Sequence, residues 1–245
     1  MKKHREFTLE AGDIFLVRGQ GKFSTILSTA QKAFYKNARA SHVLIALAEG
    51  SLIHATSDGG VDIIFFESLL PSIEDDWRAI RLKGLTEPQR DEIRKAAIFY
   101  YEQGYNYKYL MKGNEHSSFC SELAAKIYHR AGISILGGKQ PNKTIPAYFD
   151  READSQTNWI DITEQTKEFL NEMESSIEDY RLWFSIVMMG IKKRQMTLQL
   201  NREMFKGMKL LPDNSSISKD FYEKAQAMEN EFLKAKNISF WDEGI

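Results

Sequence analysis

Two apolar extended runs, His42–Ala48 and Ser51–Thr56, meet at Glu49-Gly50, and this pairing constrains the fold more than any other feature of the chain. Short runs rich in branched side chains and joined through a glycine form an antiparallel hairpin. If the loop has three residues, Ala48-Glu49-Gly50 with Gly50 left-handed, Leu47 lies opposite Ser51, Leu44 opposite His54 and His42 opposite Thr56. His42 and His54 then share one face as diagonal neighbours, within reach of two imidazoles. A two-residue turn puts them on opposite faces, because the side-chain period of a strand is two. Both registers are open at this level.

The sequence around the hairpin supplies the elements that would cover it. Asp13-Ile14-Phe15-Leu16-Val17, bounded by Gly12 and Gly19, is a short apolar run expected to be a buried strand. Phe23, Ile26, Leu27, Ala30 and Phe34 repeat at helical spacing, and residues 61–66 and 77–83 look like further strands. Thr86-Glu87-Pro88-Gln89 is a capping box with proline in the first turn, opening a helix expected to stop at Gly104. Another helix begins around Phe119, with Phe119, Leu123 and Ile127 four apart, and ends near Gly132. Beyond residue 155 the pattern turns helical, with a cap at Asp161-Ile162-Thr163-Glu164, a polar break over residues 213–218 and a last helix near Lys219–Lys236. The expectation is an α+β domain over residues 1–155 followed by a helical extension over 156–245.

Composition removes several function classes. The formal net charge is −1, from 33 basic and 34 acidic residues, so no cationic excess exists to neutralise nucleic-acid phosphates. Hydrophobic residues at 42% and charged residues at 27% exclude disorder as the dominant state. No apolar run approaches the ~18 residues of a transmembrane helix. Residues 1–6 are basic but precede Phe7-Thr8-Leu9-Glu10 rather than an apolar stretch, which argues against a secretory signal and for the cytoplasm, with export by a dedicated system left open.

One cysteine, Cys120, remains to be explained, and it cannot form an internal disulfide. It stands at the start of a helix, where unpaired N–H groups and the helix dipole favour a thiolate, so a lowered pKa is expected. A nucleophilic thiol also needs a base, and the base an orienting group, which the two hairpin histidines could supply. Two other readings stand beside this one. Cys120 can be a small buried hydrophobe. It can also join His116, His42 and His54 as a zinc set, although the usual paired ligand spacings are absent.

The same residues carry a family resemblance. The order Gly12-Asp13-Ile14-Phe15-Leu16-Val17, Ser41-His42-Val43, Leu52-Ile53-His54-Ala55 and Phe119-Cys120-Ser121-Glu122-Leu123 resembles the circularly permuted NlpC-type papain-like hydrolases. Within them it is most similar to the YiiX/YaeF-like group, whose relatives include lecithin:retinol acyltransferase-like enzymes. Both histidines precede the cysteine, as the permuted order requires, and the resemblance spans roughly residues 12–150. It implies a central antiparallel sheet packed by helices, with Cys120 as nucleophile, His42 as general base and His54 as the polar residue that orients the base. Many members of the nearest group have Glu at that third position. Tyr107 matches a family tyrosine near the oxyanion site, with Tyr105 and Tyr109 close enough to compete for the assignment.

The resemblance implies a cysteine hydrolase acting on an amide, with a cell-wall-type peptide as the expected substrate and no cofactor. A thiol-dependent lipid acyl hydrolase or acyltransferase is the alternative, and a catalytically silent binding domain the second. Glu122, in the first helical turn, needs no more than the helix dipole to explain it. The extension is most apolar at residues 182–191, followed by Lys192-Lys193-Arg194. Such a run is expected to pack against the domain or a partner subunit, or to lie in a membrane surface.

Overall fold

The computed structural model describes residues 7–20, 22–108, 115–209 and 219–236. The basic run of residues 1–6, Tyr109 and the polar break at 213–218 lie outside the described residues.

The chain runs through β1 (Ile14–Val17), α1 (Lys22–Gln31), β2 (His42–Ala48), β3 (Ser51–Thr56), β4 (Gly60–Phe65) and α2 (Phe66–Leu69). It continues with β5 (Arg78–Leu82), α3 (Glu87–Tyr100), β6 (Gly104–Tyr105), β7 (Ser117–Ser118), α4 (Cys120–Arg130) and α5 (Pro146–Ser155). Last come β8 (Trp159–Asp161), α6 (Thr163–Glu174), α7 (Ile177–Lys209) and α8 (Lys219–Lys236). A six-stranded sheet, ordered β4-β3-β2-β1-β5-β8, is antiparallel at every step. Both of its faces are covered. Ile14, Leu16, Val43, Ile45 and Ile53 pack with α3, α4 and α5, while Phe15, Val17, Leu44 and Leu52 pack with α2 and α6. That double burial is why β1 reads as an unbroken apolar run instead of an alternating one.

The hairpin resolves its register by a route that combines the two alternatives. Ala48 pairs with Ser51, so the turn is the two-residue Glu49-Gly50, yet Ala46 pairs with Leu52 and Ile45 with Ile53. The ladder shifts by one residue between Ala46 and Ala48, and the resulting bulge restores the phase that a three-residue loop would have given. His42 and His54 therefore keep the same parity. Gly50 is left-handed at φ +75°, and a Cβ there would come within 2.6 Å of the Phe65 ring, so only glycine closes this turn without strain.

Local signals set most boundaries. Thr86 and Gln89 form the capping box that starts α3, the Thr86 N–H donating to Gln89 Oε1 at 2.9 Å. α3 stops at Tyr100 rather than Gly104, because Glu102 turns left-handed at φ 67° and Gly104-Tyr105 pairs with Ser117-Ser118 as a short parallel ribbon. α1 ends at Gln31, leaving Phe34 outside the helix and 57% exposed. Past residue 155 the chain first returns to the sheet. Trp159–Asp161 adds the edge strand β8, and Phe169 and Met173 of α6 enter the second core cluster. Just ahead of α6, Asp161 Oδ1 accepts the N–H of Thr163, the first residue of the helix, at 2.9 Å.

Candidate active site

The site forms where the open end of the hairpin meets the start of α4. His42 opens β2 and His54 stands late in β3, and the bulge places both rings on one side. His42 Nε2 lies 3.1 Å from His54 Nδ1, a hydrogen bond between imidazoles whose rings meet edge to face at 5.2 Å. Opposite His54 across the sheet is Asp62 of β4, whose charge pulls the His54 pKa upward. Burial wins, and the His54 pKa lies below its usual value. For His42, burial together with the neighbouring His54 pushes the pKa down to about 3. Both rings are neutral at neutral pH.

Cys120 is the first residue of α4, 8% exposed, and α4 packs against β2 and β3. The backbone N–H groups of Val43, the residue next to His42, and of Ser121 at the helix start pull its pKa down. These donors favour the thiolate, as the helix start leads one to expect. The expected lowering of the pKa is nevertheless not met: burial outweighs the donors and pushes the thiol up to about 11. At neutral pH the thiol and both imidazoles are therefore uncharged.

A buried polar network anchors the cysteine helix and was missed from the sequence. Glu122 is fully buried and accepts Asn106 Nδ2 at 2.9 Å and the Phe119 N–H at 3.3 Å. Lys126, one turn on, lies 3.4 Å from Glu122 Oε1 and donates to the Ser117 carbonyl at 2.8 Å and to Ser118 Oγ at 3.1 Å. Ser118 Oγ donates in turn to Gln103 Oε1. The helix dipole is therefore not the whole account of Glu122. The signal available in the sequence was the i,i+4 spacing of Glu122 and Lys126 on an otherwise apolar helix.

The network also holds the strand end that carries the tyrosines. Tyr107 is 66% exposed, and its hydroxyl donates to the Ser57 carbonyl at the β3–β4 turn rather than to the thiol. Its ring meets the half-buried Tyr105 edge on at 5.0 Å, and Tyr105 packs on the main core cluster. His116 is exposed just ahead of β7. Among the described residues no group of three or more His, Cys, Asp or Glu side chains is arranged to hold a metal ion, so the four-residue zinc set is not assembled.

Residues 8–177 match the model of the permuted papain-like amidase enzyme, YaeF/YiiX, C92 family, a span of more than half the chain. A solved structure described as the metalloprotein yiiX from Escherichia coli O157:H7 is similar at 18% identity, covering 51% of this chain and 67% of that one with a TM-score of 0.43. No curated protein matches.

Proposed function

The chain belongs to the YaeF/YiiX, C92 family of permuted papain-like amidase enzymes, and on that premise we propose that it is a cysteine hydrolase working through Cys120, His42 and His54. The observation that carries this reading is the 3.1 Å contact between His42 Nε2 and His54 Nδ1, on strands that pack against the helix opened by the chain's one cysteine. With Nε2 protonated and donating to His54, the lone pair of neutral His42 is on Nδ1, the nitrogen left to act as base. As the sulfur attacks a carbonyl carbon, its proton passes to His42, and the S–C bond forms while the carbonyl oxygen takes the negative charge. The Cys120 N–H at the helix start is the first donor to that oxyanion, and Tyr107 a second once its hydroxyl leaves Ser57. His42 then protonates the departing amine, the C–N bond breaks, and water hydrolyses the thioester.

In this scheme the thiolate exists only during the attack. A thiol near 11 and an imidazole near 3 give a site that is quiet until substrate excludes water and supplies the carbonyl. The favoured substrate class is an amide in a cell-wall-type peptide. A lipid acyl ester is the second reading, favoured by the exposed apolar face of α7, where Trp183 is 66% exposed.

Incubation with peptidoglycan-derived peptides and, separately, with phospholipid vesicles, followed by mass spectrometry, tests the proposal. A new amine from the peptides supports the amidase reading, and released fatty acid supports the lipid reading. Absence of turnover on both, with folded protein, leaves a binding domain and overturns the proposal.

A further inference from the structure

Helix α7 is apolar on two opposite faces, and among the described residues only one of them is packed on by the fold. The inner face carries Phe184, Met188 and Ile191, which pack on the domain core, followed by the buried Leu198. Phe184 meets the Phe65 ring at 5.5 Å with the two planes tilted by 42°, and Arg181 ties the start of the helix to Glu67 of α2 at 2.8 and 2.6 Å. On the far side, Leu182, Ile186, Met189, Met196 and Leu200 recur at steps of four and three, with Lys193 filling the one missing step. These five are between 44% and 70% exposed. α7 begins at Ile177, where the family match ends, so this face is additional to the shared domain.

Charge says what would cover it. Residues 180–202 contain no Asp or Glu, in a chain with 34 of them, but do contain Arg181, Lys192, Lys193, Arg194 and Arg202. Lys192 and Lys193 are exposed at the edge and centre of the apolar stripe, and Trp183 flanks it. A second copy packed along the stripe would set Lys193 against a face that offers no acid. An anionic bilayer surface offers both what the apolar side chains and what the lysines need. No described helix is long and apolar enough to cross a membrane, so the helix would lie in the interface, its inner face on the domain and its outer face in the headgroup region.

We propose that the outer face of α7 docks the protein on an anionic phospholipid surface through Leu182, Trp183, Ile186 and Met189, with Lys192 and Lys193 meeting the headgroups. The inference is independent of the catalytic reading, because it concerns binding alone. The test is flotation of the full chain with vesicles of phosphatidylcholine, with and without phosphatidylglycerol. The wild type should float with the anionic vesicles, not with the zwitterionic ones, and should be released by raised salt. Lys192→Glu/Lys193→Glu and Trp183→Ser/Ile186→Ser should each lower partitioning by about tenfold or more, with unchanged thermal melting. Failure of the folded wild type to float, or equal flotation of the charge-reversed variant, overturns the proposal. So does a solution dimer that Ile186→Glu dissociates, which would assign the stripe to a second copy.

Discussion

The start of α4 and the outer face of α7 break the same rule in opposite directions. At α4 and the hairpin beside it the fold takes from water what water would prefer to keep: a buried thiol, the buried Glu122–Lys126 pair and two half-buried imidazoles. Along α7 it exposes what water rejects, a stripe of leucine, isoleucine, methionine and tryptophan. Each exception has a different physical consequence. Buried polar groups are held in fixed positions by hydrogen bonds and packing, and their proton affinities move far from solution values. Exposed apolar groups on a helix already docked by its other face have no such constraint; they store free energy of transfer that only a partner or surface can release.

The comparison is broken most severely by removing the groups proposed to react. Cys120→Ala should abolish turnover of a responsive substrate, and His42→Ala should lower kcat by about a thousandfold or more, with the fold retained. Steady-state kinetics alongside circular dichroism checks both. Retained activity in either variant would move the chemistry elsewhere.

Next in size is the buried ion pair. Glu122→Leu leaves Lys126 enclosed without its carboxylate and should cost about 3–5 kcal/mol, read in urea unfolding. Glu122→Leu/Lys126→Met removes both charges and should recover most of the loss. If the double variant is no better than the single one, the Asn106 and Phe119 contacts outweigh the pair.

The histidines supply a pH signature. Their folded pKa values lie below the unfolded reference, so below about pH 6.5 the unfolded chain binds protons that the folded chain refuses. Stability is therefore full above that pH and lost as pH falls toward the folded values, with a slope of up to about 1.4 kcal/mol per pH unit for each histidine. Asp13 and Asp150, whose carboxyl pKa values burial pushes up, titrate with the opposite sign. The slope should consequently be read as the difference between wild type and His42→Gln, which should be the less acid-sensitive of the two. Equal slopes would mean that His42 is solvated.

The smallest effect belongs to α7. Met196→Ser/Leu200→Ser should change unfolding free energy by no more than about 0.5 kcal/mol per site, because neither side chain packs on the described fold. A larger loss would show that the stripe is covered in solution.

How much of this could be read in advance depended on whether the signal was local. Thr86 and Gln89, the runs at β1 to β3 and the turn glycine Gly50 declare themselves within a few residues, and the elements follow. The hairpin register did not, because two turn lengths were equally consistent with Glu49-Gly50 and the bulge near Leu47 leaves no compositional mark. Cys120 could be placed at a helix start, but the balance between helix-end donors and burial depends on Val43 and the core around it. Asn106 and Gln103 bond to residues fifteen or sixteen positions away through a tertiary fold, so nothing local announces them.

The central claim is that a neutral thiol is activated by His42 only as it attacks. Its most direct test is acylation of the single cysteine by p-nitrophenyl acetate near neutral pH, followed by mass spectrometry of the intact protein and by the nitrophenolate burst. Wild type should gain one acetyl group on Cys120, and His42→Ala should acylate about a hundredfold more slowly or worse. Equal rates in the two proteins, or no adduct on folded wild type, would contradict the account.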